Sequence, residues 1–199
     1  MFNEISSEMK ARMHFLEQID ASDRKDGTDR MNRLRQIPPE TGKFIALMAS
    51  QCPRGDIVEI GTSAGYSTMW LSLAAKELQT KVRTFELLPE KAALARETFI
   101  LSGIESLVVL TEGDALMHLS ALDDIAFCFI DCEKAMYEAC WNIVADKILP
   151  RGVLIADNAI NHYDALQSMI EKVMADDRFD SIIVPIGKGE LVCRRKMSV

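Results

Sequence analysis

From Asp56 onward, short β-rich apolar runs alternate with longer helical patterns, and nothing else in the sequence limits the possible folds so tightly. Parallel strands cannot be joined by tight turns, so each needs a crossover, and this alternation is the pattern of βαβ units around a mostly parallel sheet. The spacing predicts strands at 56–60, 81–86, 106–110, 126–131 and 152–156, followed by a helix over 162–176 that begins at His162. Segments 181–184 and 190–194 flank a Pro-Ile-Gly-Lys-Gly turn and read as a closing hairpin, which makes the last of seven strands antiparallel. Ahead of this core the pattern is helical. Phe2, Ile5, Met9, Met13 and Leu16 recur at helical spacing, and Pro38-Pro39-Glu40 opens a second helix. A chain of 199 residues is expected to form one α/β domain over 1–199, with N-terminal helices in 1–54 and the core in 55–199.

Composition removes several classes of function. Lys plus Arg number 23 against 30 Asp plus Glu, a formal charge of −7, which is the wrong sign for attraction to nucleic acid. No apolar run has the roughly 18 residues a membrane span requires, and Glu4 and Glu8 interrupt the N-terminus where a signal peptide would be apolar. The five cysteines lack any C-x-x-C pair and read as buried thiols, so a cytoplasmic protein is expected. A basic segment within 20–35 (Arg24, Lys25, Arg30, Arg33, Arg35) has two readings, a solvated face or a seat for an anionic substrate tail.

Two groups of residues fall where open α/β sheets bind ligands, at the C-terminal strand ends. The first begins with the turn Glu59-Ile60-Gly61-Thr62-Ser63-Ala64-Gly65-Tyr66-Ser67 between a strand and a helix, where glycines let backbone N–H groups approach a ligand. The third glycine of the dinucleotide fingerprint is missing, which argues against an NAD-dependent oxidoreductase. Glu86 ends the next strand, where an acid can accept hydrogen bonds from both hydroxyls of a ribose, and Gly113-Asp114-Ala115 leaves room for a flat ring. The second group is Asp131-Cys132-Glu133-Lys134 after the fourth strand and Asp157-Asn158 after the fifth. Asp131, Asp157 and Asn158 offer only oxygen, suited to Mg²⁺, Mn²⁺ or Ca²⁺, although each alone reads equally well as a helix cap or turn residue.

Together these motifs resemble the class I methyltransferases that bind S-adenosylmethionine. The Tyr66-Ser67 pair and the strand-end acids narrow the resemblance to the cation-dependent O-methyltransferases of the catechol and caffeoyl-CoA type, over about residues 37–195. The resemblance implies a doubly wound Rossmann-like methyltransferase fold and a cofactor site of Glu59, Gly61, Gly65, Tyr66, Ser67, Glu86, Asp114, Ala115 and Asp131. Within it, Gly61 and Gly65 line the methionine part, Ser67 meets its carboxylate, Glu86 takes the ribose and Ala115 borders the adenine. It further implies Asp131, Asp157 and Asn158 as ligands of Mg²⁺ (or Mn²⁺ or Ca²⁺), and Lys134 beside the reacting hydroxyl as the catalytic base. Tyr137 fits the family's aromatic position. Cys132 and Glu133 depart from the common Asp-Ala-Asp-Lys form, and the chain after Asn158 is shorter than in relatives, which implies a more open pocket. The implied reaction is methylation of a small catechol-like diol by a homodimer, the N-terminal apolar stripe being one candidate for its interface. A tRNA hydroxyl-base O-methyltransferase and a non-catalytic S-adenosylmethionine-binding protein are the alternatives.

Overall fold

The structure is a computed structural model that describes residues 1–197; Ser198 and Val199, the end of the expected 1–199 domain, lie outside the described residues. Seven strands form one sheet: β1 (Asp56–Ile60), β2 (Val82–Glu86), β3 (Val108–Glu112), β4 (Ile125–Ile130), β5 (Ile148–Ala156), β6 (Phe179–Val184) and β7 (Glu190–Arg195). Their order is β3-β2-β1-β4-β5-β7-β6, and β7 alone runs against its neighbours, pairing antiparallel with both β5 and β6. The order reverses between β1 and β4, so helices before and after that point leave on opposite faces and the two strand ends are left open to a ligand.

The sequence of β4, Ile-Ala-Phe-Cys-Phe-Ile, is buried at every position, as a central parallel strand covered on both faces must be. Phe127 and Phe129 enter one core, whereas Ile125, Cys128 and Ile130 enter the other. The first core packs against α1 (Ser7–Asp23), α2 (Pro39–Ser50), α3 (Tyr66–Leu78) and α4 (Pro89–Leu101). The second packs against α5 (Leu116–Leu119), α6 (Tyr137–Val144) and α7 (Tyr163–Met174). Pro39 opens α2 without loss of a helical hydrogen bond, and the Ser6 hydroxyl accepts from the Met9 N–H at 3.1 Å to cap α1.

Several boundaries differ from the sequence reading, most by one or two residues. Glu105–Leu107 form a 3₁₀ turn, which delays β3 to Val108. β5 reaches back past Pro150 to Ile148, because the partner register jumps from Ile125↔Ile148 to Phe127↔Val153 and residues 149–152 bulge opposite Ala126 alone. At the N-terminus, Phe2–Glu4 form a separate 3₁₀ turn before α1.

The apolar stripe does not face outward. Met9, Met13 and Leu16 are buried in the first core, and the Phe2 ring meets Trp70 edge-on at 6.0 Å between centroids. An amphipathic helix commonly spends its apolar face on its own core, and here that removes the surface on which a stripe-mediated dimer would rest. Among the described residues no helix is long and apolar enough to cross a membrane.

Leu16→Ala is therefore expected to lower unfolding stability by about 2 to 5 kcal/mol, the usual range for emptying a buried leucine site. Urea titration checks this. A loss that grows as the protein is diluted would instead place Leu16 at an interface between copies.

Candidate active site

Gly61 follows β1 with φ of 108°, and a Cβ there would stand 2.3 Å from the carbonyl oxygen of Asp131. Only glycine lets the two chains meet so closely. The glycine turn after β1 and the acidic loop after β4 therefore share one wall of a cavity of about 620 Å³. Residues from segments 30–37, 85–88, 113–116 and 158–162, with Arg24, Lys91, Cys140 and Lys188, complete the lining.

At one end of this cavity the Glu86 carboxylate is fixed by two backbone donors, the Ser63 N–H at 2.7 Å and the Leu88 N–H at 3.0 Å. Each oxygen keeps lone-pair capacity for a further donor. Gly61, Gly65's neighbours Ala64 and Tyr66, Ser67, Asp114 and Ala115 border the same space. Gly65, at φ of 84°, has Phe99 where a side chain would begin, so its smallness serves helix packing. The Tyr66 hydroxyl is committed to Glu17 of α1 at 2.6 Å, and Asp114 accepts from the Leu116 N–H at 3.0 Å. Glu59 does not border the cavity. It is fully buried beneath the turn, accepts from Thr68 at 2.5 Å and Thr84 at 2.6 Å, and burial pushes its carboxyl up to about 7.

At the other end, Lys134 Nζ donates to Tyr137 Oη at 2.6 Å, to Asp131 Oδ1 at 3.2 Å and to the Cys132 carbonyl at 3.3 Å. It lies 4.5 Å from the centroid of the Tyr137 ring, whose phenol is pushed well up, chiefly by burial and then by the Asp131 charge. Asn158 borders the cavity with φ of 70°, a left-handed conformation asparagine tolerates, and donates through Nδ2 to Asn161 at 3.0 Å. His162 both precedes α7 and lines the cavity. Cys132 and Glu133 also line it, and Glu133 accepts from Arg35 at 2.6 Å.

Asp157 lies behind Asn158 with 0% exposure, and neither of its carboxylate oxygens has a hydrogen-bond partner among the described residues. A buried carboxylate left so is costly, and it is the condition a bound cation relieves. Burial first, and the Asp131 charge second, push the Asp157 carboxyl up. The donor set of two carboxylates and an amide suits a hard divalent ion. Among the described residues no three His, Cys, Asp or Glu side chains gather with metal-binding spacing.

Sequence reasoning missed Glu190. It opens β7 with 0% exposure, accepts from Thr41 Oγ1 at 3.2 Å and leaves Oε2 unpartnered. Burial, and then the neighbouring Asp157 charge, push its carboxyl up. An acid at the start of a strand reads as solvated, and only the reversal of β7 against β5 brings it beside Asp157.

Comparison with known proteins gives a family profile described as O-methyltransferase that matches residues 3–196. A catechol O-methyltransferase of Niastella koreensis is 32% identical over 129 residues, covering 62% of this chain and 58% of that protein. One of Mycobacterium tuberculosis is 33% identical over 129 residues, covering 62% and 57%. The matched segment thus spans less than two thirds of either relative's length. Among solved structures, the Bacillus cereus O-methyltransferase in complex with S-adenosylhomocysteine superposes with a TM-score of 0.79 at 22% identity, over 94% of this chain and 91% of that one. An S-adenosylhomocysteine-bound methyltransferase of Podospora anserina gives 0.80 at 21% identity, over 97% and 89%. Both likenesses bear on the fold.

The buried acids set a pH dependence. A carboxyl whose folded pKa is raised binds its proton more tightly in the folded state, so its contribution is intact below the unfolded value of 4.5 and is lost as pH rises above it. Glu190→Gln is therefore expected to raise the Tm of the metal-free protein at pH 8 by about 2 °C or more, with the gain vanishing toward pH 4.5. Thermal unfolding in EDTA across pH measures this. A Tm equal to the parent's at pH 8 would show that Glu190 imposes no such cost.

Proposed function

The chain belongs to the O-methyltransferase family, and from that premise we propose that it transfers a methyl group from S-adenosylmethionine to one hydroxyl of a small catechol-like diol held by a divalent cation. The observation that carries this reading is that the ribose-ready Glu86 and the Asp131–Lys134 loop open onto a single cavity whose wall is the Gly61 to Asp131 contact. One cavity lets donor and acceptor lie together, and alignment of two reactants is the largest service a protein can render to a donor already activated as a sulfonium.

In this reading Glu86 accepts from the two ribose hydroxyls, its orientation fixed beforehand by the Ser63 and Leu88 amides. The Gly61 turn and Ser67 receive the methionine end, at the start of α3 where N–H groups favour a carboxylate. Asp131, Asp157 and Asn158 would hold the cation, which when bound would supply positive charge that lowers the pKa of a diol hydroxyl. Lys134 is the group that takes the hydroxyl proton, at Nζ. Nζ is held by its hydrogen bonds to Tyr137 Oη at 2.6 Å and Asp131 Oδ1 at 3.2 Å, so its position is set before substrate arrives. S-adenosylmethionine, when bound, would supply the methyl group as a sulfonium, its C–S bond breaking as the O–C bond to the acceptor forms.

A coupled assay of S-adenosylhomocysteine release over catechols and hydroxycinnamoyl thioesters, with and without Mg²⁺, tests the reading. Turnover of a diol that stops in EDTA is expected; turnover that persists in EDTA contradicts the cation's role. Lys134→Met should cut the rate by about 100 to 10,000-fold with partial recovery at higher pH, the share of a positioned base. Glu86→Ala should leave the chemistry in place and weaken S-adenosylhomocysteine binding by about 1 to 3 kcal/mol, measured by calorimetry.

A further inference from the structure

The charge lining the cavity opposes that of the chain. The protein carries −7, yet six of the side chains around the cavity are basic and four acidic. Four of those cations already have partners. Arg24 pairs with Asp20 at 2.9 Å, Arg35 with Glu133 at 2.6 Å and Lys134 with Asp131 at 3.2 Å, while buried Lys91 donates to the Arg33 carbonyl at 2.9 Å. Two remain. Arg30 stands 3.8 Å from Glu133, whose carboxylate Arg35 already holds more closely. Lys188 meets no carboxylate at salt-bridge distance among the described residues, and its ammonium donates only to the Gln36 carbonyl at 3.4 Å.

We propose that the acceptor diol carries an acidic group, a carboxylate or a phosphate, which docks between Arg30 and Lys188 at the mouth of the cavity. The inference rests on the function proposed above and names the class of its substrate. Both cations belong to the acceptor end. Arg30 stands beside Glu133 of the Asp131–Lys134 loop, and the Lys188 carbonyl accepts from the Ile160 and Asn161 N–H groups just after Asn158, at 3.3 and 3.2 Å. The S-adenosylmethionine carboxylate already has its place at Ser67 and the start of α3, so it is not what the two cations await. A sulfonium and a divalent cation would add more positive charge to the same space, and a neutral diol would leave it uncompensated. The basic segment that precedes the core thus has a use. Glu133 ties Arg35 to the Asp131 loop, and that tie holds the segment over the cavity with Arg30 half free to swing onto a ligand.

The test compares matched acceptors, 3,4-dihydroxybenzoate against its methyl ester, and 3,4-dihydroxybenzyl phosphate against the corresponding alcohol. For the parent, kcat/KM is expected to favour at least one anionic member by about 10-fold or more at low ionic strength, with the advantage shrinking as salt is added. Whether the acid or the phosphate pair shows the larger ratio identifies the anion. In the Arg30→Ala, Lys188→Ala double variant the anion-to-neutral ratio should fall to near one. Calorimetry of the same compounds on S-adenosylhomocysteine-loaded protein gives a second reading that does not need turnover. Equal handling of anionic and neutral diols by the parent, in rate or in binding, would overturn the proposal while leaving the methyltransferase reading intact. Absence of turnover with every diol would contradict the methyltransferase reading, and an anion preference in binding that the double variant loses would still support the docking pair.

Discussion

The contact between the end of β1 and the end of β4 is the constraint on which the site depends. With a side chain at position 61, a Cβ would fall 2.3 Å from the Asp131 carbonyl, and either the glycine turn or the acidic loop would have to retreat. The backbone hydrogen bond from the Asp131 N–H to the Ile60 carbonyl at 2.9 Å continues the β1–β4 pairing up to that point. Two loops with different chemistry are thereby held at fixed separation by the most buried strands of the sheet. Rigid strands position a site more accurately than mobile loops can, and here the loops begin at the strand ends.

Electrostatics divide the cavity into two halves. Around Glu86 the acid is satisfied by backbone amides, a preorganised arrangement that needs no counter-ion. Around Asp157 the reverse holds, with two buried acids side by side and three of their four oxygens without hydrogen-bond partners among the described residues. A structure seldom carries buried charge without a use for it, and perturbed acids in a cleft mark functional sites more often than structural ones. With their carboxyls pushed up by burial, the same acids are expected to weaken the metal-free fold as pH rises.

Much of this could be read from the sequence because parallel strands leave strong marks. The uninterrupted apolar run at 125–130 and the residue types at its C-terminal end located β4 and the Asp131 loop, and the glycine spacing located the first crossover. What escaped were features set by tertiary contact. Glu59 sits in a motif beside cavity-lining residues, but strand alternation turns it under the turn, where Thr68 and Thr84 hold it. Glu190 is distant in sequence from Asp157, and only the antiparallel return of β7 joins them. The apolar stripe showed that α1 has a buried face without showing what buries it, and the boundary of β5 was lost because a bulge accommodates Pro150 where a regular strand would not.

The central claim is that Asp131, Asp157 and Asn158 hold a divalent cation in reach of a diol, and the paramagnetism of Mn²⁺ reports on this directly. Titration of the S-adenosylhomocysteine-loaded protein with Mn²⁺, followed by electron paramagnetic resonance, should show one bound ion whose spectrum changes on adding a catechol and not on adding the corresponding monophenol. A parent protein that binds no Mn²⁺, or one whose bound Mn²⁺ is indifferent to the diol, would contradict the account.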